Sequence, residues 1–188
     1  SEVELAVYNA AGQRLRKVWE KSANLVEERI YLGGFEIYRK SGENPLMRET
    51  LHIMDDKQRI ALVETRTQGT DPAPQQLIRY QFGNHLGSAT LELDEQAEII
   101  SYEEYTPYGS TSYQAVRRQT ETPNRYRYTG KERDEESGLY YHGARYYAAW
   151  LGKWLSSDPA ENVDGWNLYL YVRNNPLAYL DPTGHLPQ

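Results

Sequence analysis

Two aspartates stand at the ends of a ring-rich stretch: Asp134 in "GKERD", directly after Arg133, and Asp158 in "WLSSDP". Between them lie Tyr140, Tyr141, Tyr146, Tyr147, Trp150 and Trp154. Two carboxylates can hydrolyse an amide if they share one proton, the charged one activating water while the neutral one donates to the carbonyl oxygen. Like charges at contact cannot both ionise cheaply, so the two would titrate apart. Rings such as Tyr140, Tyr146, Trp150 and Trp154 would exclude water around the acids, and Arg133 could orient a carboxylate or stabilise an oxyanion. The plainer reading is that Asp134 opens a turn and Asp158 obeys the turn preference of Asp-Pro. Asp181, before Pro182, reads first as a turn residue and second as a catalytic one.

Other chemistries find little support. The four histidines, 52, 85, 142 and 185, show no HxxxH or HExxH spacing, so neither a metal nor a cofactor is expected. Cysteine is absent, which removes thiol catalysis and disulfides, and no GxSxG elbow or phosphate-cradling loop occurs. A net charge of −6 argues against nucleic acid as a partner. With no long apolar run and no signal-peptide pattern, this segment is not expected to touch a membrane. The glycines of "YLGGFEIY" read as a bulge or tight packing.

The elements that must carry these residues are strands. Tyrosine (17) far outnumbers phenylalanine (2), which suits sheets with one dry and one wet face. The mean hydropathy, −0.82, is low for a compact globule. Turn signals at Asn9–Gly12, Asp55–Lys57, Asp94–Gln96 and Asp134–Gly138 separate alternating segments, the last three starting 39 and 40 residues apart. The pattern predicts an all-β antiparallel array of hairpins, each unit burying its face against its neighbours. The strand at residues 3–8 should offer an open edge, as the end of a longer array would. Exposed loops are expected at 68–76 and 114–123, and a helix over 161–173, with Asp164 in the helix or a turn. Pro176 and Pro182 should turn the chain near its end.

Four stretches, "YLGGFEIYR", "RYQFGNHLGSATLELDEQAEIISYEEYTPYGSTSY", "YRYTGKERDEESGLYYHGARYYAAWLGKWLSSDP" and "NLYLYVRNNPLAYLDPTG", resemble in order the Rhs-repeat-associated core, most closely that of the C component (TcC) of insecticidal Tc toxin complexes. The resemblance implies YD-repeat hairpins over 1–123 and a C-terminal plug with an autoproteolytic site over 124–188. It implies a hollow shell that encloses a toxic polypeptide and cuts its own chain to free it. The implied partners are the rest of the shell, a TcB-like shell protein, the enclosed toxin and, indirectly, a TcA-like translocation pore; the implied setting is a secreted bacterial toxin complex. By motif position the resemblance puts the protease on Asp134, Asp158 and Arg133, and the cut just after "DPTG". There His185 stands where the family has leucine, so the bond after Leu186, before Pro187, is expected. A purely structural end-cap and a carbohydrate-binding β-repeat protein are the alternatives.

Overall fold

The computed structural model describes residues 2–117, 124–161 and 165–188. Ten strands follow one another in sequence order, each hydrogen-bonded to the next: β1 (Val3–Tyr8), β2 (Arg14–Ser22), β3 (Leu25–Leu32), β4 (Phe35–Lys40), β5 (Leu46–Asp55), β6 (Gln58–Gln68), β7 (Gln76–Gly83), β8 (Ala89–Leu93), β9 (Ile99–Tyr105) and β10 (Thr111–Val116). A second sheet has the order β11 (Glu132–Arg133), β12 (Tyr140–Tyr141), β13 (Tyr146–Ala148), β14 (Lys153–Trp154). The expected all-β antiparallel array is what forms, and β1 is an edge strand. Among the described residues there is no α-helix.

One turn design recurs. Asn9, Asn84 and Asp94 each accept, on a side-chain oxygen, the N–H groups two and four residues on. The residue three places on, Gly12, Gly87 or Ala97, has a positive φ. Short polar side chains that mimic a turn's own hydrogen bonds are the physical reason such segments stop a strand.

Two compact units interleave along the chain: Ser1–Gln81 with Leu93–Ile100 and Arg117–Glu121, and Phe82–Glu92 with Ser101–Val116 and Thr122–Gln188. In the first, one face of the sheet buries Glu36, Arg48, Thr50, Glu64 and Arg79 on adjacent strands. The charges are paired, Arg29 and His52 with Glu36 and Arg79 with Glu64. The loop 68–76 is largely the exposed connection expected of it, fastened to the sheet at one point. There the half-buried Asp71 turns its carboxylate onto Arg48 and Arg66, and Ala73 is buried. Burial raises the Asp71 carboxyl, but the hydrogen bonds and charges of Arg48 and Arg66 outweigh it and hold the group below its ordinary value.

Two expectations change. Residues 114–116 belong to β10, exposed but extended, while 118–123 lie outside the described residues. The segment expected to be helical pairs instead: Leu170 bridges Lys153, and the Tyr169 carbonyl accepts the Trp154 N–H. Val172, Arg173 and Asn174 then make a left-handed turn, with φ of 41°, 55° and 57°. Asp164 lies outside the described residues.

Candidate active site

In the second unit, Tyr128, Tyr140, Tyr147, Trp154 and Tyr171 form the core with Ala149 and Val172. Tyr147 stacks on Tyr171 with centroids 4.0 Å apart, and Trp154 meets both edge-on. The hydroxyls of Tyr128, Tyr147 and Tyr140 donate to the carbonyls of Pro107, Tyr108 and Gly109 in turn. Rings packed in this way offer no open face to a sugar. Burial raises the phenol of Tyr128 to about 12 and those of Tyr140, Tyr147 and Tyr171 above their ordinary value.

Arg145 enters β13 beneath this core, buried, its guanidinium 4.1 Å from the Trp154 ring centroid. Its Nη2 lies 2.9 Å from Asp158 Oδ2 and 3.3 Å from Asp181 Oδ2. The two carboxylates are therefore within two hydrogen-bond lengths of each other, joined through one nitrogen. Arg145 Nε donates to the Gly184 carbonyl at 2.6 Å. Asp181, 1% exposed, uses its other oxygen to accept the N–H groups of Thr183, Gly184 and His185. Asp158 Oδ1 likewise accepts the Ala160 N–H. Thus the peptide between Gly184 and His185 has its carbonyl on Arg145 and its N–H on Asp181, close to the bond that follows Leu186.

His142, 2% exposed, donates from Nδ1 to the Asp181 carbonyl at 2.7 Å. Burial, then the charges of Lys131 and Arg145, push it down to about 3 against the pull of that carbonyl, so the ring is neutral. Its Nε2 is buried without a hydrogen-bond partner, edge-on to Tyr147, Trp154 and Tyr171.

The residues singled out by sequence are divided by this geometry. Asp158 and Asp181 meet on Arg145. Asp134 is equally buried, but its backbone closes the 134–138 turn, donating to the Leu139 carbonyl and accepting the Gly138 N–H. It leaves β11, the opposite edge of the four-stranded sheet from β14, which precedes Asp158. It also leaves at the level of Leu139 and Tyr140, whereas Arg145 lies beyond Tyr141 and Tyr146 at the other end. Arg133 pairs with Glu135 at 3.5 Å. Of the expected ring wall, Tyr140, Tyr147 and Trp154 are buried and Tyr146 half-buried; Trp150 is 56% exposed and corrects that expectation, because it sits in the turn between β13 and β14. Leu186 and His185 are exposed and Pro187 half-buried.

No family model matches the chain. It is 40% identical, over 195 aligned positions, to the toxin subunit YenC1 of Yersinia entomophaga, covering 100% of this chain and 20% of that protein. It superposes on the crystal structure of TcdB2-TccC3-Cdc42 with a TM-score of 0.90 and 39% identity, over 97% of this chain and 9% of that one. The Photorhabdus luminescens Tc holotoxin pore gives 0.88 and 37%, over 98% and 9%. Over its whole length the chain is homologous to Tc toxin C subunits and is Rhs/TcC-like. It spans about a fifth of the length of the curated relative it matches.

Within this Rhs-type chain the sequence reading missed Arg145, His142 and Lys131. One signal was available for Arg145. An arginine in "YYHGARYYAAW" is surrounded by residues that will be buried, and a buried guanidinium requires acceptors.

Proposed function

We propose that this chain is the C-terminal part of a toxin-encapsulating Rhs shell, and that it cuts its own backbone just after the Asp181 turn, near Leu186, freeing a toxin polypeptide inside the shell. The single observation that carries the reading is Arg145 shared between Asp158, from the far side of the site, and the buried Asp181, which heads the segment to be cut. Asp158 and Asp181 then take the acid and base roles, in place of Asp134 with Asp158. One carboxylate removes a proton from water as its oxygen attacks the carbonyl carbon, and Arg145 stabilises the oxyanion that forms. The other carboxyl hands a proton to the leaving nitrogen as the C–N bond breaks, leaving a new carboxylate and a free amine. Trp154 covers the guanidinium and keeps water from competing for it. The proposed partners are the remainder of the shell, a TcB-like shell protein, the enclosed toxin and a TcA-like pore, within a secreted complex. The Tc assemblies to which the chain is similar support the shell and pore partners.

A structural end-cap is the second reading, favoured by the three turn N–H groups that occupy Asp181 Oδ1. Asp158→Asn in the full-length chain, tagged downstream of Gln188, separates the two. The parent chain should appear in intact-mass spectra as two pieces with a new end within a residue of Leu186, and the variant as one piece with an unchanged melting temperature. Complete cutting of the variant at the same bond would remove Asp158 from the chemistry, and an uncut parent chain would leave the end-cap.

A further inference from the structure

Four successive carbonyls, from Asp181 to Gly184, are each caught by a different donor. His142 Nδ1 holds that of Asp181, Lys131 Nζ that of Pro182 at 2.5 Å, the Ala144 N–H that of Thr183 at 3.0 Å, and Arg145 Nε that of Gly184. All of the donors come from Lys131 and the turn 142–145. A glycine on each side permits this approach. A Cβ on Gly143 would stand 3.2 Å from the Thr183 oxygen, and one on Gly184 would meet the Arg145 nitrogen at 2.9 Å. Gly184 also has a φ of 77°, open to glycine at little cost.

We propose that Lys131 and His142 are positioning residues that, with the Gly143–Arg145 turn, clamp the 181–184 backbone and thereby select which peptide the acids cut. The proposal rests on the self-cleavage reading. A reaction within one chain gains rate from orientation, and a slip of one residue would carry a different bond to Asp158. Lysine reaches the Pro182 carbonyl as a charged donor, and the neutral His142 ring supplies an N–H inside a dry core without burying a charge. Beyond Leu186 the chain is held differently, by Gln188 exchanging both backbone hydrogen bonds with Leu180 at 2.7 and 3.2 Å. The clamp lies wholly on the upstream side of the bond, so after hydrolysis the shell's own end stays seated.

The test uses the full-length chain, tagged downstream of Gln188, with Lys131→Met and His142→Phe as loss variants, Lys131→Arg and His142→Asn as rescues, and Asp158→Asn as the uncut control. Loss variants should cut about tenfold or more slowly and yield neighbouring ends at His185 or Pro187, while the rescues restore one end. A purely structural role would not move the cut position. Hydrogen exchange of the 180–188 peptide reads the clamp whether or not cutting occurs, and should speed by about tenfold in Lys131→Met. Should His142→Phe fail to fold, Lys131→Met decides alone. A single unshifted end formed at the parental rate, or unchanged exchange in Lys131→Met, overturns the clamp. Full cutting of Asp158→Asn overturns only the acid assignment.

Discussion

Arg145 shows how one side chain can order a site. Its planar fork reaches Asp158, Asp181 and the Gly184 carbonyl together while its face lies on Trp154. A lysine ammonium is a single point of charge and cannot span these partners at once. Arg145→Lys should therefore fold but cut at least about tenfold more slowly, as timed gels would show. Arg145→Ala should melt earlier, because stranding buried carboxylates costs about 3–5 kcal/mol. His142 gives the unit an acid limit. The unfolded imidazole takes up a proton below its ordinary 6.5, whereas the folded ring resists until about 3. The unfolded state therefore binds more protons between those values, and stability falls as pH drops, by roughly 1.4 kcal/mol per unit. Melting temperatures of the parent should slope downward over that window, and those of His142→Phe should be flatter. Asp158 could be found in the sequence from its Asp-Pro step beside rings. Asp181 was visible too but read as a turn residue, and it is one: a single oxygen holds the turn while the other faces Arg145. Arg133 and Asp134 are neighbours in the chain, and there the Asp134 backbone closes a turn while Arg133 pairs with Glu135.

At the level of elements, strand periodicity and turn chemistry were legible because both are local. "NAAG", "NHLG" and "DEQA" fold alike, each with its side-chain acceptor first and a left-handed residue fourth. Ala97 is the exception that carries a Cβ there, at φ 59°. The left-handed conformation costs a non-glycine residue about 1–2 kcal/mol, against roughly 0.5–1 for the extra freedom of an unfolded glycine. Ala97→Gly should therefore raise stability by up to about 1 kcal/mol in denaturant melts, with Gly12→Ala moving the other way. Over the described residues 165–173 the expected helix gives way for a non-local reason: Trp154 and Lys153 offer strand partners to the backbone at Tyr169 and Leu170. The folding of the 68–76 loop onto the sheet was hidden for the same reason, as Asp71 finds Arg48 and Arg66 across the sequence.

On the scale of the whole molecule, both units bury paired charges, and the second adds a cluster of buried phenols. In the first, Asp71, held below its ordinary 3.8, keeps its contribution above that pH and loses it only as pH falls through its lower folded value. Among the phenols of the second the direction reverses. Tyr128, Tyr140, Tyr147 and Tyr171 keep their protons when folded, while the unfolded chain releases them near 10. Their stabilisation is whole below that value and drains away as pH climbs above it. An optical signature follows. Tyrosinate absorbs in the near ultraviolet where tyrosine does not, so an alkaline titration can follow the phenols directly. The core tyrosines should then appear together in one late, steep step that coincides with loss of the near-ultraviolet dichroism. If all seventeen instead ionised on one smooth curve with the dichroism intact, the hydroxyls laid on Pro107, Tyr108 and Gly109 would have to be open to water.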